Sequence, residues 1–171
     1  MTPRLSYHVD AIVRVLAPAL LGIILVLAST IPFHIPGFGP VTPNFVLIAT
    51  FFWGIHRVYF FSNITVFFIG LLLDILVGTP PGLNAIVLVL VRNIAVSQAK
   101  VFRGKPFLVL WLGFGLISFV TGAVIWALNA IYHMTLVDPL PIVFQMAMTF
   151  TVFPLLAWLF ARTQRKLFQQ T

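Results

Sequence analysis

The chain has 171 residues, of which 61% are hydrophobic and only 8% charged, with a mean hydropathy of +1.11. A soluble domain carries about 25% charged residues and cannot hide this much apolar surface, so the composition excludes one and indicates an integral membrane protein. The absence of cysteine removes disulfides, thiolate chemistry and cysteine metal sites. The net charge of +7, which in a soluble chain would suggest nucleic acid, is read here as membrane orientation.

The apolar runs are long and do not alternate, so they predict helices and not barrel strands. Set against the turn signals they predict spans over 12–31, 43–56, 59–78, 83–102, 106–131 and 139–161. The expected architecture is all-α: a single transmembrane domain built as a six-transmembrane-helix bundle. Span one follows a basic leader and precedes Ala28-Ser29-Thr30, as a signal peptide would. Asp10 in the leader and continuation of the run to Ile31 favour a retained helix. Span two has about 14 residues, or about 21 Å at 1.5 Å each, against a hydrocarbon core of about 30 Å. It is expected to tilt, to thin the bilayer or to stop partway. Pro32, Pro36, Gly37, Gly39, Pro40 and Pro43 break the chain after span one. Pro80-Pro81-Gly82 and Gly104-Lys105-Pro106 make short turns.

Basic residues near helix ends are retained on the cytoplasmic side during insertion. Arg4 and Arg14 precede span one, Arg57 lies between two and three, and Lys100, Arg103 and Lys105 lie between four and five. Arg162, Arg165 and Lys166 follow span six, while the connections 32–42, 79–82 and 132–138 hold no Lys or Arg. This pattern predicts a multi-pass membrane protein with six spans and both termini in the cytoplasm.

Asp74 stands inside an apolar run, where an uncompensated acid costs roughly 2.5–3.5 kcal/mol at the centre of an inserted helix. Gly70, Asp74 and Gly78 recur every four residues and so share one helix face, and small residues at that spacing let another helix approach closely. Asp74 is therefore expected to face protein. Arg92, within span four, lies about 8 Å away along the axis, a gap its side chain could largely cover by reaching outward. An Asp74–Arg92 pair is the first structural expectation. Asn84, Asn129 and Gln145 also fall in the outer half and suggest a polar layer with Asp74, serving either helix-to-helix hydrogen bonds or an outward-opening pocket or partner groove.

His8, His34, His56 and His133 form no i, i+4 pair or HExxH motif, and neither a Walker loop nor a Gly-x-Ser-x-Gly elbow occurs. No metal, cofactor or catalytic group is therefore expected. Trp53, Tyr59, Trp111, Tyr132 and Trp158 fit interfacial belts or packing.

Pro43-Asn44-Phe45, then Phe68-Ile69-Gly70-Leu71-Leu72-Leu73-Asp74-Ile75-Leu76-Val77-Gly78, then Pro81-Gly82-Leu83-Asn84-Ala85 give the chain its family likeness. It resembles the bacterial rod shape-determining protein MreD family over nearly its whole length. The resemblance implies a fold like the substrate-binding subunits of energy-coupling-factor vitamin transporters. It also implies a non-enzymatic part of the cell-elongation machinery, in the bacterial cytoplasmic (inner) membrane, that binds the bitopic protein MreC. Through MreC it would connect indirectly to MreB and the synthases of lateral peptidoglycan. Gly70, Asp74, Gly78, Pro81 and Gly82 are the residues it carries over; Arg92 is singled out by burial alone. The alternative is a vitamin-binding transporter subunit, but span one lacks the two alanines four apart that would dock an energising module. Membrane lipids are expected neighbours of the inner basic loops, and nucleic acid is not expected.

Overall fold

The computed structural model describes residues 18–31, 41–135 and 138–168, the last six of these by backbone alone. Arg4, His8, Asp10, Arg14 and His34 lie outside the described residues, as do the side chains of Arg165 and Lys166. Among the described residues the protein is all-helical, with no β-strand. The helices are α1 (Pro18–Ser29), α2 (Phe45–His56), α3 (Asn63–Val77), α4 (Leu83–Phe102), α5 (Phe107–His133) and α6 (Leu140–Phe168). Among the described residues two stretches, Phe107–His133 and Leu140–Arg162, are long and apolar enough to cross a membrane; the other apolar helical segments are shorter over the residues described.

The centre of the bundle is α2. Every residue from Val46 to Ile55 is buried, and the helix packs against α3, α4 and α6. A helix that is apolar all round belongs inside a fold. Its 12 residues rise about 18 Å, and because protein surrounds it, it does not have to match a bilayer by itself. Gly54 makes the close approach to α4 possible, since a Cβ there would lie 2.9 Å from Cβ of Ala95. Phe51, Phe114 and Phe153 join α2, α5 and α6, with the last two rings stacked 4.2 Å apart. The surrounding helices turn large apolar residues outward, among them Ile24, Ile64, Phe68, Ile75, Leu116 and Leu155. Such a surface suits contact with lipid tails and not with water.

The start of α2 is fixed by polar contacts. The Asn44 side chain accepts from the Leu47 N–H at 3.0 Å, which caps the helix, and the Asn44 N–H donates to Oγ1 of Thr149 at 2.9 Å. One turn away on α6, Nε2 of Gln145 donates to the Thr42 carbonyl at 3.0 Å. Non-helical backbone of this kind is tolerated where protein supplies its partners.

Pro154 lies inside α6 and has no N–H for the Phe150 carbonyl one turn earlier. Nε1 of Trp111, on α5, donates to that carbonyl at 3.0 Å while its ring stacks on Phe150 at 4.8 Å. Trp111→Phe is expected to strand the carbonyl and destabilise the bundle by about 1–3 kcal/mol. Pro154→Ala restores an N–H in α6 and should therefore reduce the cost of Trp111→Phe in the double variant. Thermal unfolding of the four proteins in detergent checks this; strictly additive losses would contradict it.

The aromatic side chains divide by depth. Trp53 is buried against Phe52, Phe60 and Phe160, so it serves packing, whereas Tyr59, Tyr132 and Trp158 are exposed.

Candidate functional site

The α3–α4 turn is where the chain places its buried acid. Gly78 ends α3 with φ 77° and Gly82 begins α4 with φ 95°, both in the left-handed region that glycine enters without a Cβ penalty. Pro80 and Pro81 prevent α3 from continuing. The Asp74 carbonyl closes the end of α3 by accepting from the N–H groups of Gly78 at 2.9 Å and Thr79 at 3.1 Å.

The Asp74 side chain, fully buried, closes the beginning of α4. Oδ1 accepts from the Thr79 hydroxyl at 2.7 Å, from the Asn84 N–H at 3.0 Å and from Nδ2 of Asn84 at 2.9 Å. Oδ2 accepts from the Gly82 N–H at 3.0 Å and the Ala85 N–H at 3.4 Å. Nδ2 of Asn84 also reaches Oγ1 of Thr79 at 3.1 Å. The first N–H groups of a helix have no partner within it and carry its positive pole, so a carboxylate aimed at them satisfies both hydrogen bonding and charge. Asp74 is a cap for α4 supplied by the preceding helix.

Gly70, one turn below Asp74, seals the same seam. A Cβ there would lie 2.5 Å from Cα and 2.8 Å from N of Ala85, so backbone meets backbone. Gly78 does not share that role, because a Cβ on it would meet nothing within 4 Å. The expectation that Gly70 and Gly78 both permit close helix approach is corrected: Gly70 does, and Gly78 supplies backbone conformation. Pro81 is exposed at the tip of the turn.

The expected Asp74–Arg92 pair is not formed. Arg92 reaches the opposite way, where Nε donates to the Phe61 carbonyl at 2.7 Å and Nη2 to the Val58 carbonyl at 2.9 Å. Its Nη1 donates to Oδ1 of Asn63 at 2.8 Å and of Asn93 at 3.3 Å. The planar fork of donors suits this cluster of carbonyl oxygens, which has no charge of its own to be matched. Arg92 thus ties the α2–α3 turn to α4, while Asp74 ties α3 to α4 at the other end.

The single outer polar layer is also corrected. Asp74, Thr79 and Asn84 form one network, and Thr42, Asn44, Gln145 and Thr149 form another around the start of α2. Asn129 belongs to neither; its Nδ2 donates to the Ile125 carbonyl of its own helix at 3.0 Å. Sequence reasoning missed Thr79, Asn44 and Thr149. Asn44 carried a usable signal, since an Asn just before an apolar run is a helix start.

Among the described residues no group of three or more His, Cys, Asp or Glu residues could hold a metal ion. A cavity of about 260 Å³ opens between α5 and α6 and is lined by apolar side chains that include Phe119, Trp126, Ile142 and Met146. A sequence model of the rod shape-determining protein MreD family matches residues 10–168. No curated protein and no solved structure matches the chain.

Proposed function

Because this chain belongs to the rod shape-determining protein MreD family, and so is a membrane protein of rod-shape determination, we propose that it acts there as a non-enzymatic scaffold. In this reading six helices cross the inner membrane with both termini in the cytoplasm. The bundle presents a face to the transmembrane helix and adjoining periplasmic segment of a bitopic MreC-like protein, and through it helps organise lateral peptidoglycan synthesis. Likeness of the fold to energy-coupling-factor substrate-binding subunits belongs to the same proposal.

The observation that carries the reading is the commitment of Asp74. A buried acid that serves chemistry needs an open side toward a reactant, whereas both oxygens of this one are occupied by donors of the α3–α4 turn. Such a carboxylate shapes a surface. Gly70 and Arg92 act on the same two helices, so α3 and α4 are held in one relative position and offer a fixed face to a partner.

The test is capture of the tagged protein from its native membrane in mild detergent, with the bound proteins identified by mass spectrometry. Stoichiometric recovery of a bitopic MreC-like protein is expected, together with elongation synthases in smaller amount. A tightly held vitamin with ATPase subunits in place of those proteins would overturn the proposal.

A further inference from the structure

The end of the bundle opposite the Asp74 turn is basic. Lys100 and Arg103 close α4, and Lys105 follows in the Gly104 turn that leads into α5. All three are exposed. Nε of Arg103 donates to the Ile55 carbonyl at 2.9 Å, which holds this turn against the end of α2 beside exposed Arg57. That bond fixes the guanidinium in place but uses only one of its five N–H donors. The two described acids do not offset the charge: Asp74 is buried in the opposite turn, and Asp138 accepts from the Leu140 N–H at the far end of α5.

What lies beside these cations decides what they bind. Val101 is exposed between Lys100 and Arg103, and Phe107, Leu108 and Val109 are exposed within a turn of Lys105. The charges therefore sit on the rim of the apolar surface itself. A patch meant for an acidic soluble protein would be surrounded by polar surface, whereas a rim of cations above exposed apolar side chains matches the depth of lipid phosphates above acyl tails. The geometry points to a binding surface for anionic phospholipid headgroups on the α4–α5 turn, formed by Lys100, Arg103 and Lys105. It stands apart from the partner-scaffold reading, since it needs no second protein.

The test compares the thermal midpoint of the purified full chain in neutral micelles doped with phosphatidylglycerol or with phosphatidylcholine at equal mole fraction. Phosphatidylglycerol is expected to raise the midpoint more, by an increment that shrinks as salt rises and the screening length falls from about 10 Å at 0.1 M toward about 3 Å at 1 M. K100Q/K105Q is expected to lose at least half of the increment, and K100R/K105R to keep it. Arg103 is left intact in both because it also holds the turn to α2. Equal stabilisation by the two lipids, or a full increment in K100Q/K105Q, would overturn the assignment. So would equal stabilisation by polyglutamate in lipid-free micelles, which would transfer the surface to an acidic protein. Should K100Q/K105Q fail to fold, the lipid comparison and its salt dependence on the wild-type chain still decide.

Discussion

Asp74→Ala is expected to destabilise the bundle by about 3 kcal/mol or more, because each buried donor left without its acceptor costs about 1–3 kcal/mol. The Gly82 and Asn84 N–H groups lose the carboxylate at once, and the Asn84 amide keeps only its bond to Oγ1 of Thr79. Asp74→Asn is expected to fall between the wild-type protein and the alanine variant. Its oxygen can keep the Thr79 and Asn84 donors, but its amide nitrogen then faces the N–H groups of Gly82 and Ala85, donor against donor. Equilibrium unfolding in mixed micelles measures both. Wild-type stability in the alanine variant would show that the carboxylate is not what begins α4.

Gly70→Ala is expected to be comparably damaging although it adds a single methyl group. The new Cβ meets backbone atoms of Ala85 at 2.5 and 2.8 Å, and backbone cannot rotate away as a side chain can. Restoring ordinary contact needs a separation of about 1 Å between α3 and α4. A shift of that size carries the Asn84 and Ala85 N–H groups beyond hydrogen-bond reach of Asp74, so the overpacking cost of about 1–3 kcal/mol comes with the loss of the cap. Gly22→Ala is the comparison, because its Cβ would meet the Ile69 side chain, from Cδ1 back to Cγ1, and no backbone. Unfolding in mixed micelles should show a loss near that of Asp74→Ala for Gly70→Ala and a smaller one for Gly22→Ala, where the side chain of Ile69 and not a backbone has to give. A loss for Gly70→Ala no larger than that for Gly22→Ala would contradict the close seam.

Much of this site was legible in the sequence. An acid in an apolar run, with a glycine one turn before it, predicts a residue turned toward protein, and Asp74 is fully buried with Gly70 against α4. What spacing does not fix is the direction of a long side chain. Arg92 could reach toward either end of α4, and the acceptors it finds at Val58 and Phe61 are backbone carbonyls, which no sequence pattern marks. The same reason hides the Trp111 bond: Pro154 announces an orphaned carbonyl but not which helix will answer it. The shortness of span two was visible, but its enclosure was not. Whether a short apolar helix meets lipid or protein depends on its neighbours, and α2 is buried along ten consecutive residues.

The central claim is that Asp74 acts as the cap of α4 and not as the counter-ion of Arg92. A double-mutant cycle in equilibrium unfolding separates the two, with Asp74→Ala combined first with Asn84→Ala and then with Arg92→Ala. The account predicts a coupling of about 1 kcal/mol or more between Asp74 and Asn84, and additivity within about 0.5 kcal/mol between Asp74 and Arg92. Strong coupling to Arg92 with none to Asn84 would contradict it.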